Sequence, residues 1–232
     1  MKTAGGSDAE KRNAGEAAAR AVESGTIVGL GTGSTAAFAI RAIARRVDAG
    51  LDVRGVPTSF AARELAREVG VPLVALDEVD RLDLAIDGAD QIVPETGAAI
   101  KGGGAAHARE KIVAAAADER SIVVDPSKTT ETLDLPVPIE LLPDARAAVA
   151  ASLESIGGDP ELRSADRKDG PVVTDNGNLV IDCAFGPIDD PASLAAELSS
   201  IPGVVEHGLF VDLVDRVYVG STDGVEVREP GD

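Results

Sequence analysis

The sequence predicts an α/β protein with a mostly parallel sheet, followed by a smaller α+β unit of ferredoxin-like topology. Over residues 8–124, short apolar runs alternate with segments of helical spacing, as in parallel strands joined by helices. From about Leu135 prolines recur and the order becomes strand, helix, strand, strand, helix, strand. Hydrophobic residues make up 44% of the chain but aromatics only 2%, so the core is built from small aliphatic side chains. That composition suits a parallel sheet covered by helices.

The first part of the chain contains four predicted helices. Helical spacing over residues 8–23 ends at Gly25. A second helix is expected over about residues 35–48, and a third in FAARELAREVG, which Gly70 closes. The fourth is expected over about residues 105–117. The strands expected between these helices and after them are TIVGLG, DVRGVP, PLVAL, LDLAID, AAIK and RSIVVD.

The second part contains two predicted helices and a set of shorter strands. VPIELL and PELRSA are expected as strands on either side of a helix over residues 144–156. PVVTDNGNLVIDCAF predicts a hairpin around Asn176-Gly177, DPASLAAELSSI a helix, and GVVEHGLF a closing strand. The tail DRVYVGSTDGVEVRE predicts a terminal hairpin that returns to the first unit. We therefore expect residues 1–132 and 209–232 to form the larger domain, and residues 133–208 the smaller one.

The charge of the chain excludes some classes of partner. The sequence has 40 Asp and Glu residues against 22 Lys and Arg, a formal net charge of −18. Such a surface repels nucleic acid and anionic membranes, so neither is expected as a partner. No stretch reaches about 18 uninterrupted apolar residues, and the N-terminus lacks the apolar core of a signal peptide. A cytoplasmic location is expected.

The cysteine and histidine content indicates neither a disulfide nor a metal site. The single cysteine, Cys183, excludes an intrachain disulfide and fits a reducing compartment. It lies in the apolar run NLVIDCAF, and we interpret it as a buried small residue rather than a nucleophile. His107 and His207 have no ligand spacing around them, so no metal is expected.

A glycine-rich turn, GLGTGST over residues 29–35, lies between a predicted strand and a predicted helix. It satisfies the dinucleotide pattern G-x-G-x-x-A, but the next strand ends in GVPTS, without the acid that would bind a ribose. Thr32, Ser34 and Thr35 place three hydroxyls beside Gly33 at a helix N-terminus, which suits a single phosphate monoester. The alternative is that one of these hydroxyls only caps the helix.

Two acids lie at the carboxyl end of the apolar strand LDLAID. Asp87 and Asp90 stand where that strand ends, and ligands of open α/β sheets bind at this edge. The two carboxylates could surround one polar substrate. The alternative is a helix cap or an Asx-turn.

The segment KGGGAAHAREK places a lysine before three glycines and a glutamate further on. Lys101 ends a predicted strand, so its ammonium is expected at the same sheet edge as the two acids. The glycines at 102–104 let the backbone approach a ligand or turn sharply. Glu110 falls in the second turn of the helix, whose side chains lean back toward the glycines. The alternative for Glu110 is a solvated surface position.

A second lysine, Lys128, follows a strand in VVDPSK, either as a phosphate ligand or as an exposed residue. Together GTGST, DGAD, KGGGAAHAREK and DPSK, in this order, resemble the A-type ribose-5-phosphate isomerase family. VVTDNGN and IPGVVEHGLF are similar to that family too, so the resemblance covers nearly the whole chain.

The resemblance implies a Rossmann-like first domain, a ferredoxin-like second domain, a homodimer or homotetramer, a sugar phosphate substrate and no cofactor. It implies interconversion of ribose 5-phosphate and ribulose 5-phosphate through an enediolate. Glu110 corresponds to the catalytic base, Asp87 and Asp90 to the acids of the substrate site, and Lys101 to the lysine beside the reacting carbons. The other expected substrate contacts are Thr32, Gly33, Ser34, Thr35, Gly88, Ala89, Gly102, Gly103, Gly104, Lys128 and Lys11.

One position departs from the family pattern, and three other functions stay open. Gln91 follows DGAD where the family usually has Glu, which weakens any claim that a third acid is required. A phosphosugar sensor without turnover, an acyl-CoA transferase with a nucleophilic glutamate, and a dinucleotide-dependent dehydrogenase are the alternatives.

The acid residues are spread along the chain, and Arg outnumbers Lys by 16 to 6, which indicates adaptation to a high-salt cytoplasm. We expect the melting temperature to rise between about 0.1 M and about 2 M KCl. Salt weakens the repulsion between the surface acids, because it shortens the range of their interaction to about 3 Å at 1 M. A thermal melt across a KCl series measures this. Equal melting temperatures at both ends of the series would contradict the interpretation.

Overall fold

The computed structural model describes residues 5–231, which contain six α-helices and thirteen strands. The helices are α1 (Asp8–Ala19), α2 (Ser34–Asp48), α3 (Phe60–Glu68), α4 (His107–Ala115), α5 (Arg146–Ser155) and α6 (Pro191–Ser200). The strands are β1 (Thr26–Leu30), β2 (Val53–Pro57), β3 (Leu82–Asp87), β4 (Gln91–Ile92), β5 (Ala99–Ile100), β6 (Ala117–Val124), β7 (Val137–Leu141), β8 (Asp159–Leu162), β9 (Leu179–Ala184), β10 (Val204–His207), β11 (Leu209–Phe210), β12 (Arg216–Gly220) and β13 (Val225–Arg228).

The largest sheet has six strands in the order β13-β12-β6-β3-β1-β2. The five strands from β12 to β2 run parallel, and β13 pairs antiparallel with β12 as the predicted terminal hairpin. Helices α1 and α2 cover one face, where alanines such as Ala18 and Ala39 let them pack closely. On the other face, Val113 of α4 packs against Ala85 and Leu82. The predicted parallel α/β layer is confirmed.

A separate antiparallel sheet has the order β10-β7-β9-β8. Its strands and helices α5 and α6 follow one another as β7-α5-β8-β9-α6-β10, which confirms the ferredoxin-like topology. Val149 and Leu153 of α5 pack on Ile139 and Ile181 of the sheet. The residue bounds of the two domains stay a prediction, and their outermost residues, 1–4 and 232, lie outside the described part of the chain.

A third, three-stranded sheet connects the other two, in the order β11-β5-β4. The segment GVVEHGLF is not one strand, as predicted, because it divides at Gly208 into β10 and β11. Gly208 N donates to Pro138 O of the small sheet at 2.7 Å, and its carbonyl accepts from Lys101 N at 2.8 Å. A Cβ at this position would collide with the carbonyl oxygen of Lys101, so only glycine lets the chain change sheets here.

Two of the expected strands are wrong or incomplete. PLVAL pairs with β2 through Gly55, whose backbone bonds to Pro72 O and Val74 N, and the chain then forms a 3₁₀ helix over Leu76–Glu78. Pro72 cannot donate to a ladder, which limits the pairing. In the predicted hairpin only β9 is regular. Residues 171–173 make isolated bridges, and a turn closes with Gly177 N donating to Thr174 O at 2.9 Å.

Two helix boundaries also differ from the prediction. α1 ends at Ala19 rather than at residue 23. α4 begins at His107 rather than near Ala105, because Ala105 has a φ of 58° and so cannot belong to a right-handed helix. No helix within residues 5–231 is long and apolar enough to cross a membrane.

Candidate active site

A cavity of about 140 Å³ opens where β1, β3 and β6 end. Its lining contains every residue predicted for the site except Asp87, and it adds Gly5 and Asp125. The carboxyl ends of parallel strands meet at one sheet edge, which explains why motifs far apart in the sequence come together.

Lys101 is the centre of a buried charge cluster and is only 3% exposed. Its Nζ lies 2.9 Å from Asp87 Oδ2 and 3.1 Å from Glu110 Oε2, and it donates a hydrogen bond to Gly88 O. It also lies 5.2 Å from the ring centre of Phe210. Burial alone would lower the pKa of Lys101, but the negative charges of Asp87 and Glu110 outweigh burial and raise it above its usual value. The ammonium therefore stays protonated.

The sheet that carries Lys101 differs from the prediction. Lys101 follows β5, which belongs to the three-stranded sheet and pairs antiparallel with β4 and β11. The ammonium nevertheless lies beside Asp87, at the end of β3 in the main sheet. It does so because Lys101 N bonds to Gly208, which positions β5 across that edge.

Glu110 lies on α4 and is 5% exposed, so its interpretation as a solvated surface residue is wrong. Oε2 makes no hydrogen bond of good geometry to any of residues 5–231, and its contact is the ion pair with Lys101. Burial, and then the charge of Asp87, raise the pKa of Glu110 to about 8, although Lys101 opposes them. A carboxylate held in this way can take up a proton near neutral pH.

Neither Asp87 nor Asp90 caps a helix. Asp87 Oδ1 accepts from Thr32 N at 2.9 Å and from Gly88 N at 2.8 Å, while its other oxygen contacts Lys101. Asp90 lines the cavity, and its Oδ2 accepts from Gly103 N at 2.7 Å. The two acids thus connect the turn after β1, the turn after β3 and the glycine loop, defined as residues 102–104.

The turn after β1 presents the N-terminus of α2 to the cavity. The N-cap is Gly33, with a φ of 118°, and no side chain caps the helix, so the simple capping alternative is wrong. Of the three hydroxyls expected to face a phosphate, that of Thr32 instead bonds to Thr58 at 2.8 Å and to Ser59 at 2.7 Å. Ser34 and Thr35, at the N-terminus of α2, line the cavity.

Asp125 is a lining residue that sequence reasoning missed. It is buried and accepts from Ser127 N at 3.0 Å. Burial acts to raise its pKa, but hydrogen bonds from Ser127 and Gly6 outweigh this effect and hold the pKa of Asp125 below its usual value. The sequence contains a signal for it, because Asp125 directly follows β6 just as Asp87 lies at the end of β3. Phe210, by contrast, has no local signal in the sequence.

The remaining sequence candidates lie away from the cavity. Cys183 is fully buried in the core of the small sheet, and burial raises the pKa of its thiol to about 12, which confirms its interpretation as a buried small residue. His107 Nε2 accepts from Glu140 N at 3.1 Å, and burial followed by the charge of Arg163 lowers the pKa of His107 to about 3. Within residues 5–231, no three His, Cys, Asp or Glu side chains are grouped as metal ligands.

Comparison with known proteins decides the family. The protein-family model described as ribose 5-phosphate isomerase A (phosphoriboisomerase A) matches residues 54–224. The ribose-5-phosphate isomerase A of Haloarcula marismortui is 64% identical over 97% of this chain and 97% of its own length. The chain belongs to the ribose 5-phosphate isomerase A family. It is also similar to that of Natronomonas pharaonis, which is 61% identical over 98% of this chain and 100% of the relative.

Solved structures of the family have the same fold. Ribose 5-phosphate isomerase A from Methanocaldococcus jannaschii superimposes with a TM-score of 0.91 at 45% identity, covering 94% of this chain and 97% of that one. A D-ribose-5-phosphate isomerase in complex with phospho-erythronic acid gives 0.92 at 43% identity, covering 95% and 97%. The resemblance is confirmed, and the chain is an isomerase rather than a sensor, an acyl-CoA transferase or a dehydrogenase.

Gln91, the departure from the family pattern, lies outside the cavity lining. Its amide Nε2 donates to Asp134 Oδ1 at 2.6 Å, and its Oε1 accepts from the backbone of Asp134 and Leu135. A glutamate could not donate to a carboxylate in this way unless it were protonated. Gln91 therefore joins β4 to the segment that enters the small sheet, and within residues 5–231 it makes no hydrogen bond to Asp87, Lys101 or Glu110.

The pKa of Glu110 predicts a pH profile. If Glu110 is the base, kcat/KM should fall about tenfold per pH unit below pH 8, because only the deprotonated carboxylate accepts a proton. In Asp87→Asn the falling limb should move to lower pH, since the neighbouring charge that raises the pKa is gone. Initial rates across a pH series measure both. An unmoved limb in the variant would contradict the assigned cause.

Proposed function

We propose that the cavity around Lys101 carries out the aldose–ketose isomerisation of ribose 5-phosphate to ribulose 5-phosphate that defines this family, with Glu110 as the base. The observation that carries the proposal is the buried cluster of Asp87, Lys101 and Glu110. One ammonium lies between the carboxylates of Asp87 and Glu110, and burial together with the charge of Asp87 raises the pKa of Glu110. A cation and a base with a pKa near working pH are what enolisation next to a carbonyl needs.

In the proposed reaction a single carboxylate moves the proton. Glu110 takes the proton from C2 of the open-chain sugar, and the electron pair of the broken C–H bond forms the C1–C2 double bond. The carbonyl oxygen on C1 gains the negative charge, giving the enediolate, and takes the proton of the neighbouring hydroxyl on C2. Glu110 then returns its proton to C1, while the charge now on the C2 oxygen forms the ketose carbonyl.

Lys101 stabilises the charge that develops on the enediolate oxygens. Its ammonium is already desolvated and held by Asp87, so it need not reorganise as the charge appears. This interaction is stronger in the transition state than with the neutral substrate, so it lowers the barrier rather than only improving binding.

The two acids of the turn after β3 take different roles in this proposal. Asp87 is absent from the cavity lining and contacts Lys101 and Thr32 N, so it orients the lysine. Asp90 lines the cavity and is the better candidate to bind sugar hydroxyls and to transfer protons when the furanose ring opens.

The phosphate of the substrate is proposed to bind at the N-terminus of α2. Ser34 and Thr35 lie there, and Lys11 and Lys128 line the same cavity. A related isomerase was found in complex with phospho-erythronic acid, which has a phosphate at one end and an enediolate-like carboxylate at the other and so supports a ligand with both groups. Phosphate binding positions the sugar, so that remote binding energy serves the reaction at C1 and C2.

The cellular setting and the assembly are parts of the same proposal. A sugar phosphate isomerase with an acidic surface fits the cytoplasm of a halophile, and the relatives from Haloarcula marismortui and Natronomonas pharaonis come from halophilic archaea. The homodimer or homotetramer implied by the family stays a prediction.

Glu110→Gln tests the base. The variant keeps the size of the side chain, so it should fold and bind substrate, but turnover should fall at least about 10²-fold. NMR of ribose 5-phosphate in D₂O with molar KCl follows ribulose 5-phosphate and deuterium at the exchanging carbon. Glu64→Gln, an exposed glutamate on α3, is the control. Near-normal turnover in Glu110→Gln would remove Glu110 from the mechanism.

Lys128→Ala tests the phosphate site. We expect a raised KM with little change in kcat, because a contact to the phosphate is similar in substrate and transition state. Lys168→Ala, which removes an exposed lysine of the loop before Pro171, controls for the loss of one positive charge. Unchanged affinity for inorganic phosphate in a titration of Lys128→Ala would refute the assignment.

A further inference from the structure

We propose that Arg163, from the small sheet's side of the molecule, is a positioning residue for the reaction. It holds the glycine loop so that the backbone N–H of Gly104 faces the enediolate. The inference rests on the proposed function of the cavity, and it assigns a role to an ion pair that neither lines the cavity nor belongs to the cluster around Lys101.

The contacts of Arg163 cross from one sheet system to the other. Its side chain is 9% exposed, and Nε donates to Asp182 Oδ2 of β9 at 2.7 Å, while Nη2 pairs with the other oxygen. Nη1 points the opposite way and donates to Gly102 O at 2.9 Å and to Gly103 O at 3.4 Å. One guanidinium therefore connects a carboxylate of the small sheet to two successive carbonyls of the glycine loop.

The orientation of these carbonyls fixes the orientation of the N–H groups. In a trans peptide the C=O and N–H point in opposite directions, and the described residues contain no cis peptide. The carbonyl of Gly102 faces Arg163, and accordingly the N–H of Gly103 points away and donates to Asp90 Oδ2 at 2.7 Å. The carbonyl of Gly103 also faces Arg163, so the N–H of Gly104 points to the opposite side.

Gly104 lines the cavity, and its N–H has no hydrogen-bond partner in the described part of the chain. This N–H is therefore a donor of fixed direction. It lies three residues after Lys101, in the loop beside the proposed reacting carbons. A preorganised backbone donor at a site of developing negative charge acts mainly on the transition state. Arg163 also withdraws electron density from the two carbonyls, which strengthens the opposite N–H groups as donors.

Glycines alone do not hold the loop in this shape. Gly102 has a φ of 102° and all three residues lack a Cβ, so the backbone has other conformations open to it. Ala105 N closes the turn by donating to Gly102 O at 2.9 Å, and Asp90 and Arg163 hold the loop from opposite sides. Arginine suits this position because its planar fork can bind a carboxylate with two nitrogens and carbonyls with the third, which lysine cannot do.

The test compares Arg163→Met, Arg163→Lys and Asp182→Asn with the wild type. We expect kcat to fall about 10²-fold in Arg163→Met, the usual cost of a misplaced or lost donor, with KM changed by less than about threefold. The inhibition constant of phospho-erythronic acid should rise in parallel, whereas affinity for inorganic phosphate should stay the same. Arg163→Lys should recover little of kcat, and Asp182→Asn should lie between wild type and Arg163→Met.

Arg216→Met is the control, because Arg216 also forms ion pairs, with Glu119 of β6 and with Glu229 just after β13, but makes no hydrogen bond to the glycine loop among residues 5–231. If Arg163→Met does not fold, Arg163→Lys and Asp182→Asn carry the same comparison. Normal kcat in the variants would overturn the inference. Equal losses of affinity for phospho-erythronic acid and for inorganic phosphate would overturn it too, since they would mean a general loss of structure at the site. Wild-type protein without turnover would instead refute the proposed function.

Discussion

The ion pairs of Lys101 with Asp87 and Glu110 are the constraint on which the rest of the site depends. Three ionisable groups are removed from water in one place, and desolvation of this kind costs about as much as the pairing returns. The cluster is therefore not explained by stability. Its effect is chemical, because burial and the charge of Asp87 raise the pKa of Glu110 to about 8 while Lys101 remains charged.

The surrounding structure serves to hold this cluster. The main sheet brings Asp87 to the edge, α4 supplies Glu110, and Lys101 arrives from the three-stranded sheet. Gly31 has to be glycine, since a Cβ there would overlap the carboxylate of Asp87. The small sheet takes part through Gly208, which bonds to the backbone of Lys101, and through Arg163, which bonds to the glycine loop. The cluster thus depends on all three sheets.

Much of this could be predicted from local patterns. The strand that ends at Asp87, the strand that precedes Lys128, the glycine-rich turn before α2 and the βαββαβ order are local properties of the chain, and the structure has each of them where the sequence predicts it. Predictions that depended on which strands pair with one another were less accurate. PLVAL has a strand's composition but lies beyond the edge of the sheet, and GVVEHGLF is one apolar run that two sheets share. Composition does not encode which backbone is available for pairing.

The sequence by itself determined the fold class, the family and the residue types gathered at the sheet edge, because periodicity and motif order depend only on neighbours along the chain. Only the tertiary structure decided what those residues can do. The burial of Glu110, the ion pairs of Lys101, the diversion of the Thr32 hydroxyl to Thr58 and Ser59, and the contact of Arg163 with Gly102 all join distant segments. The pKa of a group and the direction of an N–H are set by such neighbours in space, which sequence spacing does not specify.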